Sequence, residues 1–93
     1  MTTTPAPLRY FREVILDSEG QPLADGSVKI YLLRGALQWS GPLDDDSAYV
    51  ILVPQKYYGV RFDVRVFVVD VEQPALRHTI TMIPNWNPPT VQV

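Results

Sequence analysis

The sequence predicts an all-β domain, a small antiparallel β-sandwich of about six to seven strands with an extended arm at each end. Three observations carry this reading. Nine prolines among 93 residues leave no three-turn window with helical apolar spacing that is free of Pro or Gly, and each interior proline costs a helix about 3 kcal/mol. Apolar and polar residues alternate in several short segments, the period of a half-buried strand. Turn chemistry separates those segments at intervals of about 8–12 residues, as in small sandwiches and barrels.

Residues 1–7, with a Thr run, Pro5 and Pro7, form the first arm. Leu8 to Leu16 reads as a strand with mixed faces: Tyr10, Arg12 and Val14 share one side, Phe11, Glu13 and Ile15 the other. Dense turn signals follow in Asp17-Ser18-Glu19-Gly20-Gln21-Pro22 and Asp25-Gly26, with Gly20 available for positive φ. Val28, Ile30 and Leu32 alternate with Lys29 and Tyr31 as a second strand, and Leu37 to Trp39 form an edge piece that ends at Gly41-Pro42. After the charge run Asp44-Asp45-Asp46 comes a β-branched strand from Tyr49 to Val53, then a loop from Gln55 to Gly59. The clearest strand starts at Val60: Val60, Phe62, Val64, Val66 and Val68 point one way, while Arg61, Asp63 and Arg65 point the other. Beyond the turn at Gln73-Pro74, Leu76, His78, Ile80 and Met82 line one face of a further strand. The sandwich therefore spans 8–83, and the Pro-rich segment 84–93 is the second arm.

Composition narrows the function classes. An apolar fraction of 46% with 19% charged residues is that of a folded domain rather than a disordered chain. A net charge of −2 argues against nucleic acid as a partner. The absence of cysteine removes disulfides, thiol catalysis and Cys-based metal sites, and a single histidine excludes a His-rich cage. No metal or other cofactor is expected. No signal peptide or apolar run of membrane-spanning length is expected either.

The run from Asp17 to Tyr31, D-S-E-G-Q-P-L-A-D-G-S-V-K-I-Y, resembles the opening of prealbumin-like β-sandwich modules. These include carboxypeptidase regulatory-like domains and small modules of tailed-phage virion proteins, and an immunoglobulin-like sandwich is the related architecture. Asp44 to Tyr49 and Tyr58-Gly59-Val60-Arg61-Phe62-Asp63-Val64 are similar to the later acidic turn and Gly-led strand of the pattern. Ser47 stands where the family commonly has Gly, and the aromatic after Gly59 comes one residue late. The resemblance implies a non-catalytic spacer, docking platform or sugar-binding unit.

Candidate sites follow from residue type and place. Asp44, Asp45 and Asp46 lack the alternate spacing that converges ligands on calcium, so a solvated turn is expected. His78 reads as a packed or edge histidine. No serine lies in a Gly-x-Ser-x-Gly setting, and no enzyme is expected. Aromatic residues are many for so small a core, which points outward. Tyr10 and Phe11 near the first arm, with Trp86, Val91 and Val93 on the second, are the candidate protein contacts. Trp39, Tyr57 and Tyr58 are the candidate stacking platform of the alternative reading.

A minimal sandwich with proline-stiffened arms predicts a structural protein that gains stability from its neighbours. The leading expectation is a capsid decoration (cement) protein of a virion. It would bind the major capsid protein or another virion protein, form a homo-oligomer, and bridge neighbours through its arms. Thr90-Val91-Gln92-Val93 is suited to adding a strand to an exposed sheet edge. The alternative is a carbohydrate-binding module of a tail fibre or cell surface, and an accessory domain of an adhesin or secreted complex is a third class.

Overall fold

The structure, a computed structural model, describes residues 9–83 and 90–92. Two sheets pack face to face. The first has the order β4-β1-β8, from β1 (Tyr10–Leu16), β4 (Ala48–Leu52) and β8 (Val91–Gln92). The second has the order β3-β2-β5, from β2 (Gly26–Leu32), β3 (Leu37–Pro42) and β5 (Arg61–Val68). Beyond β5, two short strands, β6 (Val71–Glu72) and β7 (His78–Thr81), share its far side, separated by a 3-10 turn at Pro74–Leu76. Pro74 stands in the first turn of that 3-10 segment, where its missing N–H costs nothing. The domain is thus the β-sandwich that the alternation predicts.

The inward faces follow the period of two. Phe11 and Ile15 on β1, Val28 and Ile30 on β2, and Phe62, Val64 and Val66 on β5 are all buried, and they meet Tyr49, Ile51, Ile80 and Met82 in one core. Each fully buried side chain of this size contributes about 1.5–3 kcal/mol. The close packing reaches the backbone at Gly26, where a Cβ would stand 2.8 Å from Leu43 Cδ1.

The loops resolve into specific turns. The Asp17 carboxylate accepts from the N–H groups of Glu19 and Gln21, and Gly20 takes the expected positive φ. Ser47 adopts φ 60°, the left-handed region that favours glycine. Two side-chain hydrogen bonds offset that cost: its hydroxyl donates to the Ile15 carbonyl and accepts from Leu23 N–H at 3.0 Å. Ser47 therefore ties β1, the 17–25 loop and β4 together from a buried position.

Several expectations need correcting. The sheets are not wholly antiparallel, because β8 pairs parallel to β1 with Val91 opposite Ile15. Val91 and Gln92 of the C-terminal segment pair with β1 of the same chain. Leu76 lies in the 3-10 turn instead of a strand, and β6 had no alternation long enough to announce it. The first arm, residues 1–7, and most of the second lie outside the described residues.

Ser47 supplies a test of the turn. Ser47→Ala leaves the left-handed backbone and strands two buried partners, for a loss of roughly 1–3 kcal/mol. Ser47→Gly loses the same hydroxyl but relieves about 1 kcal/mol of backbone strain. Urea unfolding is expected to rank the stabilities wild type, then Gly, then Ala; an Ala variant as stable as the Gly variant contradicts the role given to the backbone.

Candidate functional site

One polar cluster interrupts the core. The alternation of β1 that buries Phe11 and Ile15 also buries Glu13, whose residue exposure is 2%. A carboxylate in that position is costly unless it is hydrogen-bonded and paired. Both requirements are met. Tyr49, directly opposite Glu13 in the β1–β4 register, donates its hydroxyl to Glu13 Oε1 at 2.6 Å. His78, on the facing sheet, places Nε2 2.7 Å from the same oxygen. The other ring nitrogen of His78 lies 2.7 Å from the Leu76 carbonyl oxygen.

A carbonyl oxygen and a carboxylate oxygen face the two ring nitrogens, an arrangement that favours the doubly protonated, charged ring. Burial opposes that charge, but the hydrogen bond and charge of Glu13, with the Leu76 carbonyl and Asp63, raise the His78 pKa above the ordinary histidine value. Burial first, then the charge and hydrogen bond of Glu13, push the Tyr49 phenol upward and keep it protonated. Rings of both sheets close over the cluster: Tyr49 lies 5.7 Å from Trp39 and 6.2 Å from Phe11.

The neighbouring residue makes a second tie on the other side of the strand. Arg77 donates from Nε at 3.0 Å and Nη2 at 2.9 Å to the two oxygens of Asp63, and Arg65 adds a bond at 3.2 Å. The Arg77 hydrogen bond, against some desolvation and with help from Arg65, holds the Asp63 carboxyl below the usual carboxylate range. The start of β7 is pinned on both faces, by Arg77 outside and His78 inside. An open depression lies here, lined by Leu33, Arg34, Asp63, Pro74, Arg77, His78 and Thr79. His78 turns both nitrogens away from it to internal partners. The cluster thus bolts the sheets together and orders β7.

The residues singled out from the sequence fall in different places. Tyr10 is 42% exposed on the outer face of β1, directly opposite Leu52, which is 53% exposed. Phe11 is corrected: it is fully buried against Tyr49 and serves the chain's own core. Val91 is half-buried on β8 beside Ile15, while Trp86 and Val93 lie outside the described residues. Trp39 is half-buried, one side against Tyr49 and another over Gly41, where a Cβ would stand 3.0 Å from the indole. Tyr57 packs edge-on against Phe62 and donates its hydroxyl to Gln38, and Tyr58 is exposed. Trp39 and Tyr57 thus spend ring surface internally. In the acidic turn, the Asp44 carboxylate accepts from Asp46 and Ala48 N–H, at 2.9 and 3.0 Å.

Glu13 and His78 stand 65 positions apart, so no local spacing announces the pair. The signal was a carboxylate on one apolar face and a histidine on another, each needing a partner in the core.

The two ties give opposite pH limbs. His78 has a raised folded pKa, so its contribution is complete below about 6.5 and fades as pH rises through the folded value. Asp63 has a depressed folded pKa, so its contribution is present above about 3.9 and fades as pH falls through the folded value. Denaturant unfolding across pH is expected to show both limbs. His78→Gln should remove the alkaline limb and cost roughly 1–3 kcal/mol near pH 6; Asp63→Asn should remove the acid limb. An unchanged alkaline limb in His78→Gln contradicts the assignment.

Among the described residues, no helix is long and apolar enough to cross a membrane and no group of three or more His, Asp or Glu has the geometry of a metal site. No family model, curated protein or solved structure matches the chain.

Proposed function

We propose that the chain is a non-enzymatic docking protein of a virion, a capsid decoration protein that seats the outer face of its three-stranded sheet on a protein lattice. The observation that carries the reading is the exposed apolar patch on that face. Tyr10 and Leu52 stand side by side across β1 and β4, and Val50, 44% exposed, continues the patch opposite Arg12. An aromatic anchor flanked by aliphatic side chains and edged by an arginine is the usual core of a protein interface. Among the described residues strand β4 pairs on one side only, so its edge beside the patch offers backbone groups to a partner strand.

The small core supports the same reading. A domain without disulfides gains stability when it binds a large surface, in proportion to the logarithm of partner concentration over Kd. The resemblance to prealbumin-like modules of virion proteins points in this direction too. Bridging by the C-terminal arm is not part of the proposal, since β8 completes the chain's own sheet.

The test is co-sedimentation with shells assembled from the major capsid protein of the same genome. Wild type is expected in the pellet. Tyr10→Ser/Leu52→Ser, which removes apolar side chains from an exposed face, should stay in the supernatant with its unfolding midpoint little changed. Wild type that stays in the supernatant at saturating shell concentration overturns the reading.

A further inference from the structure

The opposite surface of the sandwich carries a different message. On the outer face of the five-stranded sheet, Lys29 of β2 lies directly opposite Arg65 of β5, a like-charge pair on two central strands. Like charges in that relation repel, and a sheet normally places an acid against a base there. The two cations turn aside onto rings instead: Lys29 Nζ sits 4.9 Å over Phe67, and Arg65 Cζ sits 4.6 Å over Tyr31. Arg61 continues the outer row of β5 four residues before Arg65, about 13 Å along the strand. Among the described residues, neither Lys29 nor Arg61 has a carboxylate within ion-pair distance. Asp63 is already spent on Arg65 and Arg77, and Glu72 stands at the margin opposite Phe67.

The missing negative charge is elsewhere in the molecule. Seven of the ten carboxylates lie on three loops, 17–25, 43–47 and 69–70, and those loops hold no Lys or Arg. Backbone bonds stitch the loops into one end of the sandwich: Leu43 N–H to the Gly26 carbonyl, Val69 N–H to Asp25, and Leu23 N–H to the Ser47 hydroxyl. The Asp44 carboxylate braces its own turn, which leaves Asp45 and Asp46 projecting with only a 3.9 Å contact from Asp46 to Arg12.

We infer that the cationic face of Lys29, Arg61 and Arg65 receives the Asp45–Asp46 turn of a second copy of this chain. The two surfaces are different patches of one molecule, so the contact is heterologous and propagates head to tail into a chain or closed ring. Complementary charge commits the face to a second copy, since the acidic end offers what the face lacks. The rings of Tyr31 and Phe67 hold the cations in place beforehand, which lowers the ordering cost of the contact. This inference uses the face opposite the Tyr10–Leu52 patch and does not depend on what that patch binds.

Sedimentation velocity tests it with two variants. Lys29→Glu/Arg61→Glu reverses the exposed face and leaves the Asp63 ion pairs alone; Asp45→Lys/Asp46→Lys reverses the turn and leaves the Asp44 brace alone. Wild type is expected to form oligomers that grow with concentration at low salt and dissociate near 1 M salt, where the Debye length is about 3 Å. Each variant alone should associate more than about tenfold more weakly. Mixed in equal amounts, the two should associate again in alternation, because the intact turn of one meets the intact face of the other and the two reversed surfaces also attract. Recovery on mixing also shows that both variants fold. The Tyr10→Ser/Leu52→Ser chain should associate as wild type does, which separates this contact from the apolar patch. The inference is overturned if wild type stays monomeric at low salt, if the mixture does not pair, or if association survives high salt and both variants. A monomeric wild type that binds heparin as a model polyanion likewise overturns it and assigns the face to a polyanion.

Discussion

A carboxylate between two sheets constrains everything around it. Glu13 is carried inward by the alternation that also buries Phe11 and Ile15, so it cannot leave the core without taking β1 out of register. Its Oε1 accepts a hydroxyl from its own sheet and faces a ring nitrogen from the other. Replacing such a pair by well-packed apolar residues is often neutral, whereas truncating one partner with no substitute hydrogen bond leaves a buried charge unpaired and costs more than the roughly 1–3 kcal/mol of His78→Gln. Against a net stability of about 5–15 kcal/mol for a domain, that loss is large. The apolar core supplies most of the driving force, and the Glu13–His78 contact decides which alignment of the sheets that force produces.

The consequence extends to β7. This strand has four residues and follows a 3-10 turn, too little to hold a place by backbone pairing alone. His78, its first residue, and Arg77 just before it secure its start from opposite sides, Arg77 on Asp63 and His78 on Glu13. With β7 fixed, the outer surface of the larger sheet becomes a rigid array of cations and rings. The smaller sheet keeps an apolar outer face at Tyr10, Val50 and Leu52. The sandwich thus separates two kinds of surface, one suited to apolar docking and the other to acidic contact, with a core between them that leaves neither free to shift.

Much of this was legible in the residues. The long alternation from Val60 to Val68 marked β5 and its inward face, and the turn residues around Gly20 and Gly26 marked the ends of β1 and β2. The partition of charge was equally visible as counts. Pairwise relations were not. Phe11 reads as a candidate protein contact by its nearness to the arm, because a strand with two mixed faces does not declare which one a distant sheet will cover. The parallel addition of Val91 to Ile15 joins residues 76 positions apart, beyond any local pattern. Ser47 in the left-handed region is the converse case, where a backbone conformation that favours glycine is offset by bonds that appear only when β1 arrives.

The most direct test of the central claim uses the fact that His78 is the only histidine in the chain. Its imidazole resonances are therefore unambiguous in an NMR titration, and they report the contact itself rather than its effect on unfolding. A Glu13–His78 bridge across the sheets predicts a wild-type pKa raised above the ordinary histidine value of about 6.5. In Glu13→Gln the burial remains and the carboxylate is gone, so the value should drop below that of wild type. A wild-type pKa at or below about 6.5, unchanged by Glu13→Gln, contradicts the account.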